Sequence, residues 1–337
     1  MQEGLLASQT LAFTSRQIVW ECSSSWIVES QCSRPAIGNA NLFADLNMIA
    51  MERSTLVHDE LGRKRDNRLK REAYNLWYQI VTLYSQRNLG NHEDKFPAIA
   101  GLAKRVKLAL NDDYCVGLWR KDLLLRLLWY DVSNSSEPLD AYLGPSWTWA
   151  GISSKSIQWK GDSIEKYEEL AKIENVYIKN HSLDDIYGRV EHAKLEITAP
   201  YYRLENLNTM ASQVSGAEPE SFQAFINQIF DKLDSEGSRE YHMGHKPYDG
   251  QHFAILQIIA YHSREIHEPA MELLLLESDS GGDNLYRRIG QVSLRKAESG
   301  RIDPEARPDY FNIGPVEDAA WREVQQSIWE SKTVFVI

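Results

Sequence analysis

The sequence is poor in cysteine and has no long apolar run. Its cysteines, Cys22, Cys32 and Cys115, are too few and too scattered for a disulfide framework, and no C-x-x-C pair is present to bind zinc. No apolar stretch approaches the roughly 20 residues that a helix needs to span a bilayer. The N-terminus also lacks a basic region followed by an apolar one. These absences predict a cytoplasmic protein without a membrane span.

Positive charge is also scarce. The formal net charge of −11 argues against a general polyanion binder, so no nucleic-acid partner is predicted. One basic cluster, residues 63–71, could serve nuclear import or nucleic-acid binding. Asp66 and Glu72 interrupt it, and apolar periodicity follows at once. That pattern favours the solvated start of a helix.

Motifs that carry catalytic chemistry are missing as well. The chain has no G-x-S-x-G, no P-loop, no G-x-G-x-x-G after a strand and no H-E-x-x-H. His242, His245 and His252 have a spacing that could suit a metal, but no cysteine or acidic cluster adjoins them. Neighbouring carboxylates occur at Asp112-Asp113, Glu168-Glu169 and Asp184-Asp185. Adjacent side chains point in different directions, so we expect solvated surface there. No catalytic residue, cofactor or metal is predicted.

A helical pattern is present in the first half. A hydrophobic content of 43% is enough for a sizeable core. Apolar residues at intervals of three and four predict one helix over 66–87 and another from about Asp94 to Leu110, with Pro97 in its first turn. A third helix is predicted over 118–130. We expect these three helices to pack together.

The second half has a β pattern, with period-two alternation and short apolar runs. The predicted strands cover 146–149, 157–159, 173–178, 195–197, 253–260, 271–276, 285–294 and 333–337, and helices are expected at 222–230 and 321–328. A strand at 146–149 would place Trp147 and Trp149 on one face, against the helical layer. Two further short strands are predicted around Thr14-Ser15-Arg16.

The predicted fold class is therefore α+β. A helical subdomain is followed by a mainly β C-terminal region with helical insertions. The expected units are residues 1–35, a helical region over 36–132 and a β-rich region over 145–337.

Three stretches have an order and spacing typical of one protein family. The first contains Gln2-Glu3-Gly4-Leu5-Leu6 and then Val19-Trp20-Glu21-Cys22. The second runs from Trp77 through Arg87-Asn88-Leu89 to Asp94-Lys95-Phe96-Pro97-Ala98-Ile99 and Gly101-Leu102-Ala103. The third joins Gly117-Leu118-Trp119-Arg120 to Pro145-Ser146-Trp147-Thr148-Trp149-Ala150. Together they resemble fungal heterokaryon-incompatibility proteins, in which the first stretch closes the HET domain and the others follow it.

The matching residues are the candidate site residues, with a mainly structural role. They are Gln2, Glu3, Trp20, Glu21, Cys22, Tyr84, Ser85, Arg87, Asp94, Lys95, Pro97, Gly101, Leu102, Ala103, Gly117, Leu118, Trp119, Pro145, Ser146, Trp147 and Trp149. Phe96 stands where the family usually has leucine. The family's Arg-Gly-Trp and the domain before it are missing, so we expect an N-terminally truncated chain in which residues 1–35 are a HET-domain remnant.

The resemblance implies a self/non-self recognition and cell-death signalling protein. It would be non-enzymatic and would act through protein partners that the sequence does not identify. Two alternatives stay open. The parent protein is an enzyme whose nucleotide-cleaving, TIR-like domain lies mostly upstream, or the chain is a non-functional remnant.

Overall fold

The fold is known from a computed structural model. The structure describes residues 9–13, 18–22, 26–28, 31–34, 40–56, 59–87, 89–132, 142–152, 156–159, 164, 166–182, 184–204, 253–262, 269–280, 282, 284–295 and 329–337. Gln2, Glu3, the three histidines considered above and the helices predicted at 222–230 and 321–328 lie outside these residues.

The first strands form a small antiparallel meander. Its strands, in spatial order, are β1 (Gln9–Phe13), β2 (Ile18–Cys22), β3 (Trp26–Val28) and β4 (Gln31–Arg34). Leu11 lies opposite Trp20, which confirms the predicted pair of strands around residues 14–16. The sequence did not predict β3 and β4.

Helices pack together in the next part of the chain, as predicted, although the set of helices differs. They are α1 (Ala40–Ser54), α2 (Glu60–Ser85) and α3 (Ala100–Leu110). Asp59 caps α2 by accepting the N–H of Gly62 at 2.6 Å. The predicted stripe of α2 is buried at Leu69, Ala73 and Trp77. Helix α1 was not predicted.

The basic cluster lies at the start of α2. Arg63, Lys64 and Arg65 are exposed, and Lys64 pairs with Glu60 at 2.8 Å. Lys70 pairs with Asp66 at 2.5 Å in the following turn. The prediction of a solvated helix start is therefore confirmed.

The helix predicted to begin near Asp94 begins later, at Ala100. Asp94 ends a 3-10 turn, His92–Asp94, and a second turn spans Pro97–Ile99. The N–H of Ile99 donates to Phe96 at 3.0 Å, and the main-chain oxygen of Lys95 accepts the Tyr84 hydroxyl at 2.8 Å. A side chain from α2 thus binds the carbonyl oxygen that an α-helical turn would offer to Ile99.

The third predicted helix, over 118–130, is wrong. In its place are a hairpin, a 3-10 turn, a single helical turn and another strand: β5 (Tyr114–Cys115), β6 (Leu118–Trp119), Arg120–Asp122, α4 (Leu123–Arg126) and β7 (Trp129–Asp131). Residues 123–129 are all buried. Six of these seven residues are apolar, and a run that is buried throughout has no periodicity that distinguishes a helix from a strand.

The strand predicted at 146–149 is also wrong. The chain turns there, with the Thr148 N–H donating to Pro145 at 3.1 Å, and a 3-10 turn follows at Trp149–Gly151. Trp147 and Trp149 are nevertheless fully buried. Strand β8 (Ile157–Trp159) has the predicted alternation and pairs with β7.

A seven-stranded sheet forms the second half of the chain. Its strands are β9 (Tyr167–Glu169), β10 (Lys172–Asn180), β11 (Val190–Leu204), β12 (Phe253–His262), β13 (Pro269–Ser278), β14 (Leu285–Arg295) and β15 (Glu330–Val336). The order is β10-β11-β15-β14-β13-β12-β9, and β11 also pairs with β12, so the sheet closes on itself. The remaining strand predictions and the α+β class are confirmed.

One hydrophobic cluster joins the helices to the sheet. It includes Trp77 of α2, Trp149 and the sheet residues Leu195 and Leu274, each almost fully buried. The core therefore continues from the helical region into the β-rich region. Of the helices in the described part of the chain, none is both long and apolar enough to cross a membrane.

Candidate functional site

Residues of the second and third motif stretches meet around one tryptophan, Trp149. The Tyr84 ring lies edge-on to Trp149, with centroids 6.2 Å apart, and the Lys95 ammonium lies 5.4 Å from the Trp149 ring. The Trp149 indole N–H donates to the main-chain oxygen of Gly117 at 3.1 Å. Trp77 donates its own indole N–H to the same oxygen at 3.0 Å. We call Trp77, Tyr84, Lys95, Gly117 and Trp149 the tryptophan cluster.

Gly117 is required by both its conformation and its surroundings. Its φ is +87°, in the left-handed region, and a β-carbon there would lie 2.6 Å from the indole nitrogen of Trp149. Val116 before it also has a positive φ, 49°, which is unusual for a β-branched residue. The Thr148 hydroxyl donates to the Val116 oxygen at 2.6 Å. The conformation of the turn between β5 and β6, without a β-carbon at Gly117, therefore leaves room for the Trp149 indole.

Lys95 is a buried cation with carbonyl partners. Its side chain is 7% exposed, and its ammonium donates to the main-chain oxygens of Ala150, at 3.3 Å, and Ile152. Burial lowers the pKa of Lys95 to about 7, opposed by the negative charge of Asp131. Lys95 thus links the turn before α3 to the segment that carries Trp149.

A second buried cation, Arg288, lies on the other side of that segment. Its guanidinium stacks on Trp129, 3.8 Å from the ring centroid, and donates to the oxygens of Leu127, at 3.1 Å, and Trp129. Burial lowers the pKa of Arg288 to about 9. The Trp129 indole in turn donates to Trp147 at 3.0 Å. Arg288 is not among the candidate site residues predicted from the sequence.

Ser146 connects the 145–152 segment to the closed sheet. Its hydroxyl oxygen accepts the N–H of Arg288 at 2.7 Å, and both its hydroxyl and its own N–H, at 2.9 Å, donate to the oxygen of Ile337. The motif serine is therefore a hydrogen-bond bridge between β14 and the end of β15.

The other motif residues lie elsewhere. Trp119 packs edge-on against Trp77 at 5.7 Å, and Ser85 accepts the N–H of Ile157 at 3.1 Å. Exposed Asp94 pairs with Arg189 at 3.3 Å. Leu102, Ala103, Leu118 and Pro145 are buried, Gly101 is half-buried, Arg87 and Pro97 are exposed, and Trp20, Glu21 and Cys22 belong to β2.

The carboxylate pairs are only partly surface groups. Asp112 is buried, and it accepts the Tyr74 hydroxyl at 2.7 Å and the N–H groups of Asp113 and Lys121 at 2.7 and 3.0 Å. The prediction of solvated surface is therefore wrong for Asp112, because distant α2 supplies a hydroxyl partner. Burial and this carboxylate raise the pKa of Tyr74. Asp113, Glu168 and Glu169 are exposed, as predicted.

The potentially reactive side chains of this region have structural roles or are unreactive. The Lys95 amine and the Ser146 hydroxyl each bond carbonyl oxygens, and burial raises the pKa of the Cys115 thiol to about 12, which disfavours the reactive thiolate. Within the described residues, no group of three His, Cys, Asp or Glu side chains could hold a metal ion. The arrangement is a structural joint between the helices and the sheet.

Three comparisons with known proteins gave no match. No family model, no curated protein and no solved structure matches the chain.

Proposed function

We propose that this chain is a heterokaryon-incompatibility-type protein that takes part in self/non-self recognition and cell-death signalling without a catalytic step of its own. One observation carries the proposal. Tyr84 and Lys95 of the second motif stretch contact Trp149 of the third stretch, and Gly117 accepts its indole N–H. These contacts place the second and third motif stretches in one packed unit, and this is the structural support for the proposal.

In this proposal, the tryptophan cluster couples recognition to signalling. The β-rich region binds a protein partner, and the 145–152 segment connects it to the helices through Lys95 and to the sheet through Ser146 and Arg288. The net charge of −11 favours a protein partner over nucleic acid. The protein acts in the cytoplasm and needs no cofactor.

The first test measures fungal growth. The gene is expressed from an inducible promoter in a filamentous fungus, and hyphal extension and vital-dye uptake are recorded. We expect growth arrest and death with the native sequence and with Gly90→Ala, since Gly90 has open space around its α-carbon. Gly117→Ala abolishes both effects. Normal growth at a verified level of the native protein would count heavily against the proposal.

A second test asks whether this chain by itself cleaves a dinucleotide. The purified 337-residue chain is incubated with NAD, and the remaining dinucleotide is quantified by chromatography. We expect no consumption. Consumption that is proportional to protein concentration would replace the proposal with a nucleotide-cleaving enzyme.

A further inference from the structure

Strand β15 is held unequally on its two sides. On one side it pairs with β11 along its whole length, from Glu330 opposite Tyr201 to Val336 opposite Leu195. On the other side it forms a parallel ladder with β14 over only two residue pairs, Leu285 with Phe335 and Tyr286 with Val336. The boundary between β14 and β15, here called the seam, is therefore a weak place in the closed sheet.

Ser146 completes the hydrogen bonding at the seam. The N–H groups of Phe335 and Ile337 donate to Asn284 at 2.8 Å and to Tyr286 at 2.9 Å. In a parallel ladder the next bond would run from the N–H of Arg288 to the oxygen of Ile337. Ser146 stands between these two groups, accepting from Arg288 at 2.7 Å and donating to Ile337. The Ser146 hydroxyl therefore replaces one hydrogen bond of the parallel ladder and holds the C-terminal end of β15 against β14.

The apolar anchor of β15 is a pair of valines, and cation–π contacts join two of its other side chains to β11: Lys332 with Tyr201, at 4.3 Å, and Phe335 with Lys194, at 4.4 Å. Val334 and Val336 are buried, whereas Ser331 and Thr333 are exposed. The strand thus has a small apolar anchor and a two-pair seam with β14.

We propose that β15 exchanges between copies of this chain, so that it leaves its own seam and occupies the same seam in a second copy, with Ser146 as the clasp that sets the rate. The occupant is a second copy because its β15 has the same sequence and restores every contact with β11, β14 and Ser146. Exchange of an identical element between protomers is a low-cost route to dimers. The proposal rests on strand pairing and is independent of the proposed function.

Cross-linking between labelled copies tests the exchange. Thr198 of β11 and Thr333 of β15 face each other on an exposed surface, with hydroxyls 2.7 Å apart. Isotopically labelled Thr198→Cys chain and unlabelled Thr333→Cys chain are mixed and oxidised, and linked peptides are identified by mass spectrometry. We expect labelled residue 198 linked to unlabelled residue 333. Lys179→Cys in place of Thr198→Cys is the matched control, because exposed Lys179 of β10 lies opposite His192.

Two outcomes would overturn the proposal. In the first, the Thr198→Cys/Thr333→Cys double variant forms its internal disulfide, but the mixture of the two single variants gives no more intermolecular links than the Lys179→Cys control. The other is a double variant that fails to close the disulfide, which would contradict the pairing itself.

The clasp is tested by the rate of linking. Ser146→Ala removes the bridging hydroxyl and is expected to accelerate linking by about tenfold, whereas Ser146→Thr keeps the hydroxyl and stays near the native rate. Thr148→Ala removes a hydroxyl from the same segment that donates to Val116, on the helical side. Denaturation midpoints verify that each variant folds. Equal acceleration by Ser146→Ala and Thr148→Ala would show that general destabilisation, and not the clasp, controls exchange.

Discussion

Trp149 donates its indole N–H to the main-chain oxygen of Gly117 at 3.1 Å, at a position where any larger residue than glycine would collide with that indole. The contact joins two stretches of the chain that the sequence identifies only as separate motifs. It also explains why a glycine in a left-handed turn lies beside a fully buried tryptophan, since a β-carbon at Gly117 would occupy the space of the Trp149 indole.

Gly117→Ala is expected to destabilise the protein by about 3 kcal/mol, because the alanine adds left-handed strain and a contact with the Trp149 ring. Urea denaturation followed by tryptophan fluorescence measures the change. Gly90→Ala, with open space at the substituted position, is expected to change the free energy of unfolding by less than about 0.5 kcal/mol. Equal midpoints for the two variants would contradict the role of Gly117.

Lys95 is expected to make stability depend on pH. Its pKa is about 7 in the folded protein and 10.5 ordinarily, so between these values the unfolded chain binds a proton that the folded chain does not. Stability therefore rises with pH from about 7 to 9, with a slope of at most about 1.4 kcal/mol per pH unit. Below pH 7 both states are protonated and this slope disappears.

Denaturation of native and Lys95→Met chains at a series of pH values isolates this effect, because the buried tyrosines and Cys115 are common to both. Lys64→Met is the control, since Lys64 is exposed on α2. We expect Lys64→Met to keep the native slope and Lys95→Met to lose it. Parallel curves for all three chains would refute the assignment.

Asp112→Asn is expected to cost about 2 kcal/mol, since an amide cannot satisfy all three donors that now point at the buried carboxylate. Its exposed neighbour provides the comparison: Asp113→Asn should change stability by less than about 0.5 kcal/mol. Thermal and urea unfolding of both variants measure the difference. Similar losses at the two positions would mean that the Tyr74 hydroxyl does not depend on Asp112.

Arg288→Lys is expected to destabilise by about 2 kcal/mol, although charge is conserved, because an ammonium cannot both stack on Trp129 and reach two carbonyl oxygens. Arg287→Lys is the matched change next to it, where an exposed arginine pairs with Asp279 at 2.7 Å. Chemical denaturation should show a clear loss only for Arg288→Lys. If the two variants lost the same stability, the stacking would contribute little.

Several features could be predicted from the sequence because local pattern determines them. The stripe on α2 and the alternation in β8 follow from which neighbouring residues are apolar. The order of the motif stretches could also be recognised from the linear sequence. Their contacts could not, since Tyr84, Lys95, Gly117 and Trp149 share no local pattern.

The errors have a common cause in partners that lie far away along the chain. The main-chain oxygen of Lys95 accepts the hydroxyl of distant Tyr84, and Asp112 is buried because Tyr74 reaches it. Residues 123–129 are all buried, so they lack the exposed polar face that distinguishes an amphipathic helix.

The sequence by itself determined the α+β class, the amphipathic helix α2 and most strands of the closed sheet. Burial of one face imposes a period on the chain, and strands buried on both faces, such as β12 and β13, are apolar runs of strand length. Only the tertiary structure decided the conformations at 94–99, 118–130 and 146–149, the burial of Lys95 and Arg288, and the bridge at Ser146. In those places a polar group must satisfy its hydrogen bonds inside the core. The partner that does so is chosen by the packing of distant elements and not by its neighbours in sequence.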